Sequence, residues 1–99
     1  MIVTATRIRI QGITGLIRFF RLVIKVRQQV DQAEGLVFVK TRGFTTLTGW
    51  ESLQAMQAFR DTGAHLVAMQ NVSRIGSARV VTWESELVPS WDEARSRLA

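Results

Sequence analysis

Between Ile2 and Ile10 every second residue shares a face, with Ile2, Thr4, Thr6, Ile8 and Ile10 on one side and Val3, Ala5, Arg7 and Arg9 on the other. β-branched residues dominate this period of two, which predicts a strand. Gln11-Gly12-Ile13-Thr14-Gly15 reads as a turn. From Leu16 to Gln32 the period lengthens: Arg18, Arg21, Lys25, Gln28, Gln29 and Gln32 recur at three- and four-residue spacing among apolar neighbours. That pattern predicts a helix with a narrow wet stripe. Its apolar arc, built from Leu16, Ile17, Phe19, Phe20, Leu22, Val23, Ile24, Val26 and Val30, is wider than the ~100° needed to cover one sheet. Something besides the chain's own sheet is expected to cover it.

Glu34-Gly35 closes the helix, and Leu36–Lys40, rich in Val and Phe, predicts a second strand. Thr41-Arg42-Gly43 then reads as a hairpin connection into an antiparallel strand over Phe44–Thr48. Thr48 with Glu51 fits a capping box for a second helix whose inner face holds Leu53, Met56 and Phe59. Gly63 interrupts it, and Leu66, Met69, Val72 and Ile75 carry a helical pattern on to about Arg74. In Ser77–Glu86, Arg79, Val81 and Trp83 alternate with Ala78, Val80 and Thr82, a fourth strand. Pro89-Ser90 opens a last short helix, with Ser90 and Glu93 as a capping box and Glu93 four residues before Arg97. The order β-α-β-β-α-β plus a terminal helix predicts a single α+β, ferredoxin-like domain over residues 1–99: two helices on one face of a four-stranded antiparallel sheet. The other sheet face is expected to stay open within one chain.

Composition narrows the chemistry. The chain has no Cys and one His, His65, which excludes thiolate zinc sites, iron–sulfur clusters, thiol nucleophiles and multi-histidine metal sites; no metal site is expected. A core drawn from 99 residues is modest, and oligomerisation often supports one of that size. The formal net charge is +5, and eight of the thirteen cations but only Asp31 and Glu34 among the acids lie in residues 1–50. Most of these cations are Arg, suited to bidentate contacts with carboxylate or phosphate, so both an anionic ligand and a merely soluble basic surface fit. The start, Met1-Ile2-Val3-Thr4-Ala5, lacks a basic leader run, and the apolar stretch near Leu16–Val26 is broken by Arg18, Arg21 and Lys25. A cytoplasmic protein without a transmembrane segment is the expectation.

The run Thr46-Leu47-Thr48-Gly49-Trp50-Glu51-Ser52-Leu53-Gln54-Ala55-Met56-Gln57-Ala58-Phe59-Arg60, followed by Gly63-Ala64-His65 and Ala68-Met69, resembles the dimeric α+β barrel superfamily with its antibiotic-biosynthesis-monooxygenase-like domains. The tail Val81-Thr82-Trp83-Glu84 and Pro89-Ser90-Trp91-Asp92-Glu93-Ala94-Arg95-Ser96-Arg97-Leu98 resembles an uncharacterised bacterial branch related to spheroidene-monooxygenase-like sequences. The resemblance spans about residues 44–98 and implies a homodimer with its two sheets face to face and a pocket between sheet and helices in each copy. It also implies cofactor-free oxidation of a small aromatic or polyketide-like substrate. Haem-degrading members carry an Asn on the first strand, a Trp in the second helix and a His beyond it. Here the first strand offers Thr4, Thr6 and Arg7, Phe59 takes the Trp position, and only His65 matches. No haem and no other cofactor is therefore expected.

His65 is the one side chain whose unperturbed pKa lies near neutrality, which makes it the candidate general base. A structural His beside the Gly63 break fits its position equally, and Asp61, four residues earlier, would orient it or pair at the surface. Trp50, Phe59 and Trp83 are candidate walls for a small apolar or anionic aromatic ligand, or core filling. Arg7 is a candidate ligand contact; on the face it shares with Arg9 it needs a carboxylate, with Glu84 and Glu86 in view, or it forms an anion pocket. Trp91 is expected to pin the last helix. Arg42-Gly43-Phe44 begins like an RNA-recognition signature, but Thr46 and Gly49 stand where stacking aromatics belong, so any nucleic-acid binding is expected to be weak. The Arg18, Arg21, Lys25 stripe has the look of an interfacial membrane helix, against which a helix covered by a protein partner is the favoured reading. A non-catalytic, dimeric ligand-binding or structural protein is the alternative to a monooxygenase, and a basic nucleic-acid-binding module the third reading.

Overall fold

The computed structural model describes residues 1–99, the side chain of Ala64 excepted. In chain order the elements are β1 (Ile2–Ile10), α1 (Gly12–Asp31), β2 (Leu36–Arg42), β3 (Thr45–Trp50), α2 (Leu53–Arg60), α3 (Gly63–Gln70), α4 (Val72–Ile75), β4 (Gly76–Glu84) and α5 (Trp91–Leu98). The helix expected from Leu16 begins four residues earlier. Gly12 enters it at φ +70, and Gly15 lies so close to the Ile75 carbonyl that a Cβ there would collide with it. The two glycines read as a turn are thus the points where α1 turns in and seats against α4. The capping box expected from Thr48 is also displaced: Ser52 caps α2, its Oγ accepting from Ala55 N at 3.1 Å. Thr48 belongs to β3, where its Oγ1 accepts from Trp50 Nε1 at 3.0 Å. Ser90 caps α5 as expected, accepting from Glu93 N at 3.1 Å.

The sheet order is β2-β3-β1-β4, all neighbours antiparallel, the split βαβ arrangement that the element order predicts. Pairing of Thr4 with both Thr48 and Thr82 fixes the faces. The even positions of β1 lie under the long helices, where Val30, Trp50 and Met56 form a buried cluster with Ile2, Leu36, Val39 and Phe59 around it.

The odd positions carry a second cluster of Val3, Ala5, Leu47, Trp83, Ala94 and Leu98, bordered by Phe38 and Trp91. This corrects the expectation of an open second face. Trp91, Ala94 and Leu98 recur on one side of α5, so α5 lies across half of the sheet and buries that apolar patch. Trp91 pins α5 as expected. On the other half of the same face lie Arg7, Arg9, Lys40, Arg42 and Arg79, placed by strand register, with Arg7 directly opposite Arg79. None of the five forms an ion pair with a described carboxylate.

Candidate functional site

Between the even face of the sheet and α1, α2 and α3 lies a half-open cavity of about 370 Å³, within the range of small-molecule sites. Its floor is a set of threonines, Thr4 and Thr6 on β1 and Thr46 and Thr48 on β3, with Thr41 toward the β2–β3 hairpin. Period-two spacing on two paired strands brings these hydroxyls together. Phe19, Leu22, Val26 and Val30 of α1 form one wall, and Trp50, Met56, Phe59, His65 and Met69 the other. The walls are almost wholly apolar; Arg27, Arg60 and His65 are the groups on them that carry or can take up charge. Leu53, expected beside Met56, instead faces out.

His65 is held on three sides. Its Nδ1 lies 3.1 Å from the Arg60 carbonyl oxygen, and because a carbonyl only accepts, Nδ1 carries the proton and Nε2 is left as the acceptor. Its backbone N donates to Gln29 Oε1 at 2.8 Å. Its ring sits 4.7 Å from that of Phe59, which stacks on Trp50 at 5.0 Å. Burial pushes the imidazole below its ordinary pKa, overcoming the hydrogen bond from Nδ1 to the Arg60 carbonyl; the Arg60 charge lowers it further and the Asp61 carboxylate opposes. The ring is therefore neutral near pH 7, with a free basic nitrogen.

Asp61 does not orient His65. Its carboxylate accepts from Arg60 Nε at 2.9 Å, and that bond holds the carboxyl below its usual range. The Arg60 carbonyl holds the ring, and the backbone of His65 is held by Gln29, a residue that helical spacing assigns to the wet stripe. From α1 its Nε2 donates to the carbonyls of Phe59 at 3.1 Å and Thr62 at 2.9 Å while its Oε1 holds His65 N. One amide thus bonds three backbone groups where α2 ends and α3 begins, adding to the long backbone bonds that Thr62 N and Leu66 N make to the same two carbonyls. Gly63 starts α3 at φ +59, and a Cβ there would come within 3.2 Å of the Gln29 amide.

Of the expected site residues, Trp50, Phe59 and His65 come together on the cavity wall. Arg7 and Trp83 do not: both lie on the opposite face of the sheet. Trp83 is covered by α5, with the Arg97 guanidinium 4.6 Å from its ring and its Nε1 buried without a hydrogen-bond partner. Arg7 Nη2 donates to the Leu98 carbonyl at 3.4 Å, and Arg79 Nε donates to the same oxygen. Glu84 lies opposite Ile2, at the far end of β1 from Arg7 and Arg9. Arg79 Nη2 also donates to the Ala99 backbone oxygen at 3.1 Å, and no Asp or Glu among the described residues pairs with these arginines. The threonine floor was legible in the alternation of Thr4 with Thr6 and of Thr46 with Thr48; Gln29 carries no comparable signal.

No protein-family model and no curated protein matches the chain. Solved structures do. SnoaB, a cofactor-independent oxygenase from Streptomyces nogalater, is similar at a TM-score of 0.70 and 10% identity, over 88% of this chain and 94% of that one. A structure described as an antibiotic biosynthesis monooxygenase matches at a TM-score of 0.73 and 13% identity, over 90% of this chain and 100% of that one. A dimeric ferredoxin-like protein of unknown function from Jannaschia sp. CCS1 matches at a TM-score of 0.72 and 14% identity, over 85% of this chain and 98% of that one. Nothing among these matches bears on the spheroidene-monooxygenase-like branch. Identities this low establish shape alone: the chain has the ferredoxin-like α+β fold that antibiotic-biosynthesis-monooxygenase-like structures share.

Proposed function

We propose that the cavity binds a small, flat aromatic or polyketide-like substrate and oxidises it with molecular oxygen, without a cofactor, in a homodimer. The observation that carries this reading is His65 on the wall of an apolar cavity beside the Trp50–Phe59 stack, with Nδ1 held by the Arg60 carbonyl and Nε2 left as the acceptor. Nε2 takes a proton from an acidic C–H or O–H of the substrate, leaving an electron-rich anion. That anion delivers an electron to oxygen and then joins it at carbon. A methylene carbon ends as a carbonyl, one oxygen atom is retained, and the other leaves as water with the two hydrogens of the former methylene. The substrate supplies all the electrons, so the balance needs no external reductant. Threonine hydroxyls on the floor donate to the substrate's oxygens, and the aromatic wall fixes its plane.

A second reading, a dimeric ligand-binding protein without chemistry, draws on the anchoring of His65 to Arg60 and Gln29, which is also what a structural histidine requires. One pair of variants separates the two. For a catalytic His65, His65→Ala and His65→Gln each lower turnover of an oxidisable phenol or anthrone by about 10²- to 10⁴-fold. For a structural one, Ala costs about 1–3 kcal/mol of stability and Gln restores part of it. Oxidation rates and melting temperatures of both variants are the measurements; an unchanged rate in both ends the catalytic assignment. Nucleic-acid binding has less support, because α5 lies across half of the face on which bases would stack.

The homodimer draws its support from the second sheet face. Of the five cations there, Arg7 and Arg79 meet only backbone oxygens at the end of α5, and none has an Asp or Glu partner among the described residues, which leaves the half of the face beyond α5 open to a partner. The dimeric Jannaschia protein has the same fold.

A further inference from the structure

The side of α1 turned away from the sheet is apolar where a soluble helix is polar. Ile13, Ile17, Phe20 and Ile24 are 75%, 50%, 53% and 61% exposed. Their spacing of four, three and four residues stacks them in one stripe about 16 Å long. They are not the residues that face inward: Leu22, Val26 and Val30 do that. The wide apolar arc of this helix is therefore two separate features, an inner face that walls the cavity and an outer stripe that nothing in the chain covers.

Charge identifies what covers the stripe. Arg18, Arg21 and Lys25 run along one flank, and the only acid of α1, Asp31, is at its end and accepts from Arg27 at 3.0 Å. A second copy is a poor match. The one carboxylate that α1 could offer the Arg18, Arg21 and Lys25 of a second copy is Asp31, already bonded to Arg27, so two such stripes would bring unneutralised like charges together. An anionic lipid surface matches both halves of the pattern: four large apolar side chains enter the boundary between headgroups and acyl chains, and the flanking cations meet lipid phosphates. No helix of the structure is long and apolar enough to cross a membrane, so the contact lies in the plane of the interface. We propose that the outer stripe of α1 docks the protein on anionic membrane surfaces.

Cosedimentation with vesicles tests this, comparing phosphatidylglycerol–phosphatidylcholine mixtures with phosphatidylcholine alone. The wild-type chain is expected to pellet with the anionic vesicles at low salt, to be released as salt rises, and to stay in solution with the neutral ones. Changing Arg18, Arg21 and Lys25 together to Gln should weaken partitioning by roughly hundredfold, from about fivefold per cation. Ile17→Glu with Phe20→Glu should abolish it, with melting temperature and mass by light scattering unchanged; should that double variant not fold, Ile24→Ser carries the same test more mildly. The proposal is overturned if the wild type ignores anionic vesicles, if it binds neutral ones as well, or if the folded variants still pellet. It is overturned equally if the Glu variant loses a subunit, because a second copy then covers the stripe.

Discussion

His65 couples the cavity to pH. Its folded pKa lies below the ordinary 6.5 because burial disfavours the charged ring, so between the two values the unfolded chain binds more protons and stability rises with pH. The contribution is complete above the unfolded value and is lost as pH falls through 6.5 toward the folded one. Thermal melts from pH 8 to pH 5 should show this acid loss, and His65→Gln should flatten it; an unaltered slope in that variant would assign the loss to other groups. Three of the expected site residues were legible because Trp50, Phe59 and His65 lie in one short run that a single strand-to-helix passage brings to one wall. Arg7 and Trp83 were not, since alternation reveals which residues share a face but not which face the helices cover. Their shared register places both on the far side. Gln29 is hidden for a related reason: helical spacing puts it beside solvated neighbours, and only the break between α2 and α3 brings three backbone groups to its amide.

Among the elements, α5 departs furthest from expectation. Its helical nature and its Ser90 cap could be read from Pro89, Ser90 and Glu93, but its docking site depends on a tertiary match between Trp91, Ala94, Leu98 and the sheet that no local pattern encodes. Leu98 is fully buried there, so Leu98→Ala should cost about 2–5 kcal/mol and expose Trp83. Chemical denaturation with tryptophan fluorescence measures both, and a loss under 1 kcal/mol would mean that α5 is only loosely seated. The start of α1 was misplaced because glycine ordinarily signals a turn. At Gly15 the missing side chain serves close packing on Ile75 instead, and a sequence offers no means of telling the two uses apart.

For the whole molecule, element order was enough to predict the topology, because two hairpin-compatible strands between two helices leave the split βαβ arrangement as the compact solution. Association was harder to read: the sheet face expected to be free is half covered by α5 and half lined by cations. A dimer built across that face should scatter light as twice 11.2 kDa at micromolar concentration; a stable folded monomer would rule it out. The strand order also bears on how the chain reaches its native state. β1 is central, yet Ile2 pairs with Trp50 and Glu84, and Ile10 pairs with Gly76. The β2–β3 hairpin closes over a few residues, whereas the first strand must wait for partners made much later in synthesis. Until β4 emerges, one edge of β1 is an unpaired template. Contacts so distant in sequence slow folding toward milliseconds or longer, and during that interval the chain is most exposed to aggregation and most in need of a chaperone.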